Sequence, residues 1–324
     1  MKERVSVVMT TYREPAGRLD RALACVAAQR TGCELEVVLA AGPDDTEVEG
    51  ALERAGCSDA RVVLNRTGRR SEGLNLAIAA SSGDIVCRVD ARSLVPHDYV
   101  ERCARRLRED LRVGVVGGFQ RPVAGMKGPV AAGVARALGN GYLLGAPAYR
   151  RSDGWGPVDT VYLGSWRRTD LDRLGGFDER LAANEDFELC RRFANAGLVV
   201  WLEEGLEVPY EARASLREVF LQYHAFGRAK VHYWRTTGER PNRRQALALA
   251  AFGSAALAVP SMVRKPRRLA AAAAATGAGL LLTDRLADPT EVEAPVRAAA
   301  ATAGALVLTG WIAGVAHESL VGRR

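Results

Sequence analysis

The sequence predicts an α/β domain with a mostly parallel, Rossmann-like central sheet, followed by an Ala-rich helical region. Three observations carry this expectation. Short β-branched runs alternate with helically spaced segments through the first third of the chain, the pattern of strands joined by crossover helices. The early strands are apolar without alternation, as strands covered on both faces must be. Beyond about Gln245 the composition changes to Ala-rich runs broken by basic and acidic clusters. The boundary is placed at 240, with the α/β domain over 1–240 and the helical region over 241–324.

Arg4 to Met9 is a compact run suited to a central strand, and Thr10 to Pro15 is a polar loop. Leu19, Ala22, Leu23 and Val26 recur at helical spacing. Glu36 to Ala41 is a second strand, Thr46 to Ala55 a second helix and Arg61 to Leu64 a third strand. Ligands of such a sheet bind beyond the carboxyl ends of its strands, so the loops there are the candidate site. No G-x-G-x-x-G follows the first strand, which disfavours a dinucleotide enzyme. The next loop carries Arg69 and Arg70 and leads into a helix with Asn75. Guanidinium forks suit phosphate oxygens, and a solvated Arg cluster is the plain alternative.

A Ser82-Gly83-Asp84 turn feeds a strand that ends at Asp90, with Arg92 two residues on. Pro96 to Arg108 is an amphipathic helix, and Val113 to Phe119 is a buried strand. Gly125 to Pro157 is Gly-rich and poorly periodic, a flexible loop with a short helix near Ala131 to Leu138. Val158 to Leu163 is β-prone and ends at Gly164; Trp166 beyond it either stacks on a ligand or fills the core. A small helix, Thr169 to Leu174, stops at Gly175-Gly176. Asn184 then stands as the N-cap of a helix with Glu185 and Asp186 in its first turn. Unpaired N–H groups and the helix dipole favour ionised acids there, which a general base requires. First-turn acids without a chemical role are the plain alternative. Val199 to Leu202 is a short strand, and Leu216 to Trp234 is a helix carrying Gln222 and Arg228.

A chain of 324 residues, 48% apolar, can bury a full core. Its formal charge of +7 suits anionic partners such as nucleotide diphosphates, nucleic acid or a phospholipid surface. No nucleic-acid reading motif is present, so nucleic acid is not an expected partner. Six cysteines without C-x-x-C spacing and four scattered histidines argue against zinc and for reduced thiols. Val5 to Met9 is too short for the apolar part of a signal peptide, so no cleavable export signal is expected.

The order of these motifs resembles the family 2 glycosyltransferases, inverting enzymes of the GT-A fold, and within them the subgroup that extends exopolysaccharides such as succinoglycan. The likeness spans roughly residues 3 to 235. It implies that Asp186 is the catalytic base with Glu185 beside it in the acceptor site. It also implies that Thr10, Tyr12 and Glu14 line the nucleotide pocket, with Arg69, Arg70 and Asn75 nearby. Asp90 would hold a divalent cation, Mn or Mg, against the donor diphosphate, with Arg92 adding positive charge. Gly164 and Trp166 would line the donor side, and Gln222 and Arg228 would close over the diphosphate. Two departures stand out. Ala41 replaces the acid that usually contacts the base, and Arg92 occupies the third position of the Asp90 motif, often His in this subgroup. The processive Gln-x-x-Arg-Trp motif is absent, which implies one sugar added per acceptor. The implied partners are a nucleotide-diphosphate sugar and a lipid-linked or saccharide acceptor.

The tail has apolar runs over Ala246 to Val263, Leu269 to Thr283 and Ala298 to Ala316, with a basic Arg264 to Arg268 cluster and an acidic Asp284 to Glu293 linker. Each run is at or below the roughly 20 residues of a spanning helix. The expectation is membrane attachment with the catalytic domain cytoplasmic: the last two runs as a hairpin, its acidic linker outward, and the first run interfacial. The alternative to an enzyme is a non-catalytic scaffold of a polysaccharide assembly complex, favoured by Ala41 and Arg92.

Overall fold

The structure is a computed structural model that describes residues 3–15, 17–141, 147–150, 154–263 and 266–321. In chain order its elements begin β1 (Arg4–Thr11), α1 (Arg18–Ala27), β2 (Glu34–Ala41), α2 (Val48–Ala55), β3 (Arg61–Leu64), α3 (Arg70–Ala80), β4 (Ile85–Arg88) and α4 (Tyr99–Glu109). Then come β5 (Val113–Val123), α5 (Pro129–Gly139), β6 (Gly156–Pro157), β7 (Tyr162–Arg167), α6 (Arg168–Leu174), α7 (Glu185–Asn195) and β8 (Val199–Glu211). Four long helices close the chain: α8 (Leu216–Thr237), α9 (Arg243–Val263), α10 (Pro266–Ala287) and α11 (Ala294–Val321).

Two compact units result: Met1–Arg121 with Pro147–Tyr210, and Pro122–Ala146 with Glu211–Arg324. The first contains one sheet in the order β3-β2-β1-β4-β7-β5-β8-β6. Its first four strands are parallel, whereas β7 joins β4 antiparallel, and the β7–β5 and β6–β8 pairs are antiparallel as well. Side chains on β1 show why its run has no polar alternation. Val5, Val7 and Met9 enter a core with Leu23, Leu52, Tyr99 and Leu107 on one face. Val8 enters a second core with Leu74, Ile78, Leu189 and Phe193 on the other. The strands and helices of the sequence reading recur with shifted ends. The strand expected over Val199 to Leu202 extends to Glu211, and the β-prone run at Val158 to Leu163 is displaced, its strand beginning at Tyr162 and running through Trp166 to Arg167. Pairing with both β4 and β5 draws that segment into the sheet centre.

In the second unit α11 packs on α5 and α8, and glycine permits the approach. A Cβ on Gly227 would lie 2.0 Å from the Trp311 carbonyl oxygen, and one on Gly314 would lie 2.0 Å from that of His224. Gly310 and Gly314 form a G-x-x-x-G pair on one face, a spacing that brings helix backbones together. Among the described residues only α11 is long and apolar enough to cross a membrane, and 44% of its most apolar stretch is buried. The acidic linker begins inside a helix. Asp284 lies within α10 and is 3% exposed, with Arg136 Nε donating to it at 2.7 Å and Arg297 Nη1 at 3.2 Å. Asp288 takes a further bond from Arg136 at 2.6 Å. A buried carboxylate is expensive unless paired, and Arg136 supplies the pairing. Residues 264 and 265 of the basic cluster, and 142–146 and 151–153 of the Gly-rich loop, lie outside the described residues.

Candidate active site

The end of β4 and the start of α7 meet at one buried arginine. Arg88 is 3% exposed, and its Nε and Nη2 donate to the two Asp90 oxygens at 2.7 and 3.0 Å. Its Nη2 lies 3.8 Å from Glu185 Oε1, and the half-exposed Arg70 guanidinium lies 3.5 Å from the same oxygen. Glu185 is 1% exposed, and no hydrogen-bond donor reaches Oε1. Asp186 beside it is only part-buried, and its Oδ1 accepts from the Phe187 amide at 2.7 Å. Burial opposes the charge on Asp90, but Arg88 and then Arg70 outweigh it and leave its carboxyl below the ordinary value. Glu185 goes the other way. Burial pushes its carboxyl up and the Asp186 charge adds to this, while Arg70 and Arg88 pull it down without reversing the shift. The helix-start argument for two ionised acids therefore meets a burial cost at Glu185. Asn184 does occupy the N-cap, but in the left-handed region (φ 68°) and with no side-chain cap bond.

The loop before α7 is held from α3. Asn75 Nδ2 donates to the Phe177 carbonyl at 2.8 Å and to Glu179 at 2.9 Å, and its Oδ1 accepts from the Phe177 amide at 2.8 Å. A Cβ at Gly176 would fall 2.4 Å from that oxygen, so this clamp requires glycine at 176. The Ser71 hydroxyl adds a bond to the Leu181 carbonyl at 2.8 Å.

A second ionic group lies at the end of β1. Glu14 accepts from Arg92 Nε at 3.1 Å and from Arg18 Nη1 at 2.9 Å, and all three are largely buried. Arg92 is thus tied to Glu14. The Tyr12 ring lies against Gly42 and Gly68, where a Cβ would come within 2.3 and 2.9 Å of it. The Arg13 guanidinium stands 5.0 Å over its centroid. Asp45 accepts from the Arg13 amide at 2.6 Å and from the Gly42 amide at 3.2 Å, placing a carboxylate beside Ala41. A cleft lined by Thr11, Glu14, Asp44 and Asp45 opens there. Thr10 packs on Gly73 of α3, and Arg69 pairs with Glu72.

The predicted residues therefore separate into groups. Asp90, Arg70, Glu185 and Asp186 come together, and Glu14 meets Arg92. Trp166 is a correction: it is 1% exposed, edge-on to Phe177 at 5.7 Å, and fills the core on one face of the sheet with Leu171 and Leu189 rather than presenting a sugar-stacking face. Gly164 (φ 88°) takes the turn that lets the Trp166 ring lie over it. Gln222 and Arg228 belong to α8 in the second unit, where Arg228 donates to Glu318 at 2.9 Å. Two arginines escaped the sequence reading, Arg88 and Arg18. The signal for Arg88 was present, since a cation within an otherwise apolar four-residue strand needs a buried partner.

Asp90 uses one lone pair on each oxygen for Arg88 and keeps the others. Three carboxylates face two guanidiniums, a formal excess of one negative charge. Asp90 with this excess fits a hard divalent cation completed by phosphate oxygens and water. Among the described residues no three Cys, His, Asp or Glu side chains converge as a cage.

Comparison with known proteins gives this arrangement its class. The family model described as Glycosyl transferase family 2 matches residues 6–130. The succinoglycan biosynthesis protein ExoA of Rhizobium meliloti (strain 1021) is 27% identical over 341 residues, spanning 98% of this chain and 96% of ExoA. Among solved structures, the mannosyltransferase PcManGT of Pyrobaculum calidifontis, in complex with GDP-Man and Mn2+, has a TM-score of 0.63 at 21% identity, over 99% of this chain and 88% of that one. TarS of S. aureus has a TM-score of 0.50 at 15% identity, over 71% of this chain and 40% of that one. The protein is a glycosyltransferase of the GT-A fold. Its α/β unit carries the family 2 match, and ExoA is a full-length relative.

Proposed function

We propose that the chain is an inverting glycosyltransferase that moves one sugar from a nucleotide-diphosphate donor to a hydroxyl of a lipid-linked saccharide or related polysaccharide acceptor. The observation that carries this reading is the convergence of Asp90 with the Glu185–Asp186 pair around Arg88. Asp186, the more accessible acid, takes the proton of the acceptor hydroxyl. The acceptor oxygen bonds to the anomeric carbon as the bond from that carbon to the diphosphate breaks, and the nucleotide diphosphate leaves on the opposite face. Asp90 would hold a divalent cation, Mn or Mg, which supplies charge neutralisation at the leaving diphosphate. The Mn2+ and GDP-Man in PcManGT support the pairing of a cation with a nucleotide sugar in this fold.

The relation to ExoA supports an acceptor from polysaccharide synthesis, and α11 supports attachment to a membrane. Nucleotide sugars are cytosolic, so the catalytic unit is placed on the cytoplasmic side. The test is a panel of nucleotide sugars, with and without Mn2+, offered to the full chain in detergent. Transfer or slow donor hydrolysis is expected for at least one. Asp186→Asn should lower turnover by about 10²-fold or more while donor binding persists. A full chain that binds and cleaves none of the donors is instead the non-catalytic scaffold that Ala41 and Arg92 suggested.

A further inference from the structure

We propose that Arg88 is a positioning residue of the transfer reaction, a buried guanidinium that fixes the donor-side Asp90 relative to the acid pair at the head of α7. The inference rests on the functional reading above and extends it to a residue outside the motifs. Asp90 lies just past β4, where the chain has left the ladder and the loop to Ser93 begins. The acid pair opens α7, nearly a hundred residues later in the sequence. Neither element pairs with the other through the backbone among the described residues. Arg88 reaches both: two hydrogen bonds fix the Asp90 carboxylate in plane, and the same Nη2 that bonds Asp90 approaches Glu185.

Its own position is fixed from three sides. The backbone belongs to β4 and is paired with β1 at Val8. The Tyr99 hydroxyl donates to the Arg88 carbonyl at 3.5 Å. The guanidinium lies 5.7 Å from the Phe177 ring centroid, and Phe177 is the residue whose amide and carbonyl are clamped by Asn75. A planar fork with five donors can serve a carboxylate bidentately and still offer an N–H elsewhere, whereas a Lys ammonium cannot reproduce that plane. The geometry thus sets Asp90 and Glu185, the first acid of the pair that includes the base Asp186, at a fixed separation. Small errors in such spacing weaken catalysis far more than binding.

The test uses the full chain and two variants. Arg88→Met removes the bridge and is the more disruptive. Arg88→Lys keeps a positive charge and gives a second reading if the first fails to fold. Thermal unfolding of Arg88→Lys, Glu185→Gln and the double variant reads the bridge without any turnover, and non-additive shifts in Tm are expected. Turnover then reads positioning. Arg88→Lys should lose about 10²-fold in kcat, with donor KM raised by a smaller factor. Combined with Asp90→Asn it should cost little beyond Asp90→Asn alone, because the two act as a unit. Mn2+ affinity, measured by paramagnetic resonance, should fall in Arg88→Lys, since the carboxylate loses its fixed plane. Turnover within threefold of wild type, or losses in kcat that multiply with Asp90→Asn, would overturn the proposal. A wild-type chain that turns over no donor defeats the transferase reading itself. In that case additive Tm shifts also remove the bridge, and non-additive shifts leave a structural tie with no part in transfer.

Discussion

At the scale of single residues, the site is a set of charges whose neighbours decide their state. Glu185 and Asp186 adjoin in sequence, but one side chain is buried against guanidiniums and the other is part-exposed. Because burial raises Glu185, its carboxyl gives up its proton at a higher pH in the folded chain than in the unfolded one. Stability should then fall as pH rises from about 4.3, the ordinary Glu value, through the folded value of Glu185. Below that window the effect vanishes because both states are protonated. Glu185→Gln should flatten this part of the curve of Tm against pH, and an unchanged slope would show that Glu185 is not the group responsible. Asp90 is the converse case. Its carboxyl is held low by Arg88 and Arg70, and its contribution is lost only as pH falls through that depressed value. Removing it strands Arg88 in the core. Asp90→Ala should cost about 3 kcal/mol of unfolding free energy, measured by urea titration. The carboxylates were legible in the sequence because they sit at strand and helix ends. Arg88 was legible only as a cation in an apolar strand that needs a buried partner; which carboxylates it meets depends on the fold.

At the scale of elements, α3 fastens the loop that delivers the acid pair. Asn75 makes three hydrogen bonds to one short segment, so Asn75→Ala leaves a backbone amide and a carbonyl there without those partners. The expected loss is about 1–3 kcal/mol, with turnover falling while donor binding is retained. Equal loss of donor affinity would move Asn75 into the nucleotide site instead. The sequence showed α3 and the Gly175-Gly176 stop as separate features. Their junction was hidden because the spacing between them carries no repeat. Trp166 shows the limit from the other side. A strand-end aromatic is ambiguous in sequence, and its burial depended on β7 joining β4 and β5, an antiparallel insertion that local pattern does not reveal.

For the whole molecule, the α/β unit follows the alternation of its sequence closely, because strand and helix periods are local properties. The helical unit was less legible. Ala-rich runs signal helices but not partners, and α11 finds its partners in α5 and α8. A cut near residue 240 would divide α11 from both. Gly314→Leu should drive α11 away from α8, since even a Cβ meets the His224 carbonyl. Separation would be read as a change in the fluorescence of the Trp234–Trp311 pair, now 6.4 Å apart. An unchanged spectrum and Tm would mean that the two helices are not held together at that face.

The sharing of α11 between an early and a late helix also sets a schedule for biosynthesis. Domains form as units, those translated first usually folding first. The last strand of the sheet ends at Glu211, so the α/β unit has all its strands while the helical tail is still being made. Helix α5, encoded between β5 and β6, has no such freedom. Its glycine at 133 is shaped for Ala299 and Ala300 of a helix not yet translated. Until α11 arrives, the nascent chain must carry α5 with that contact face open, a window in which a chaperone or the membrane insertion machinery has its best access to it.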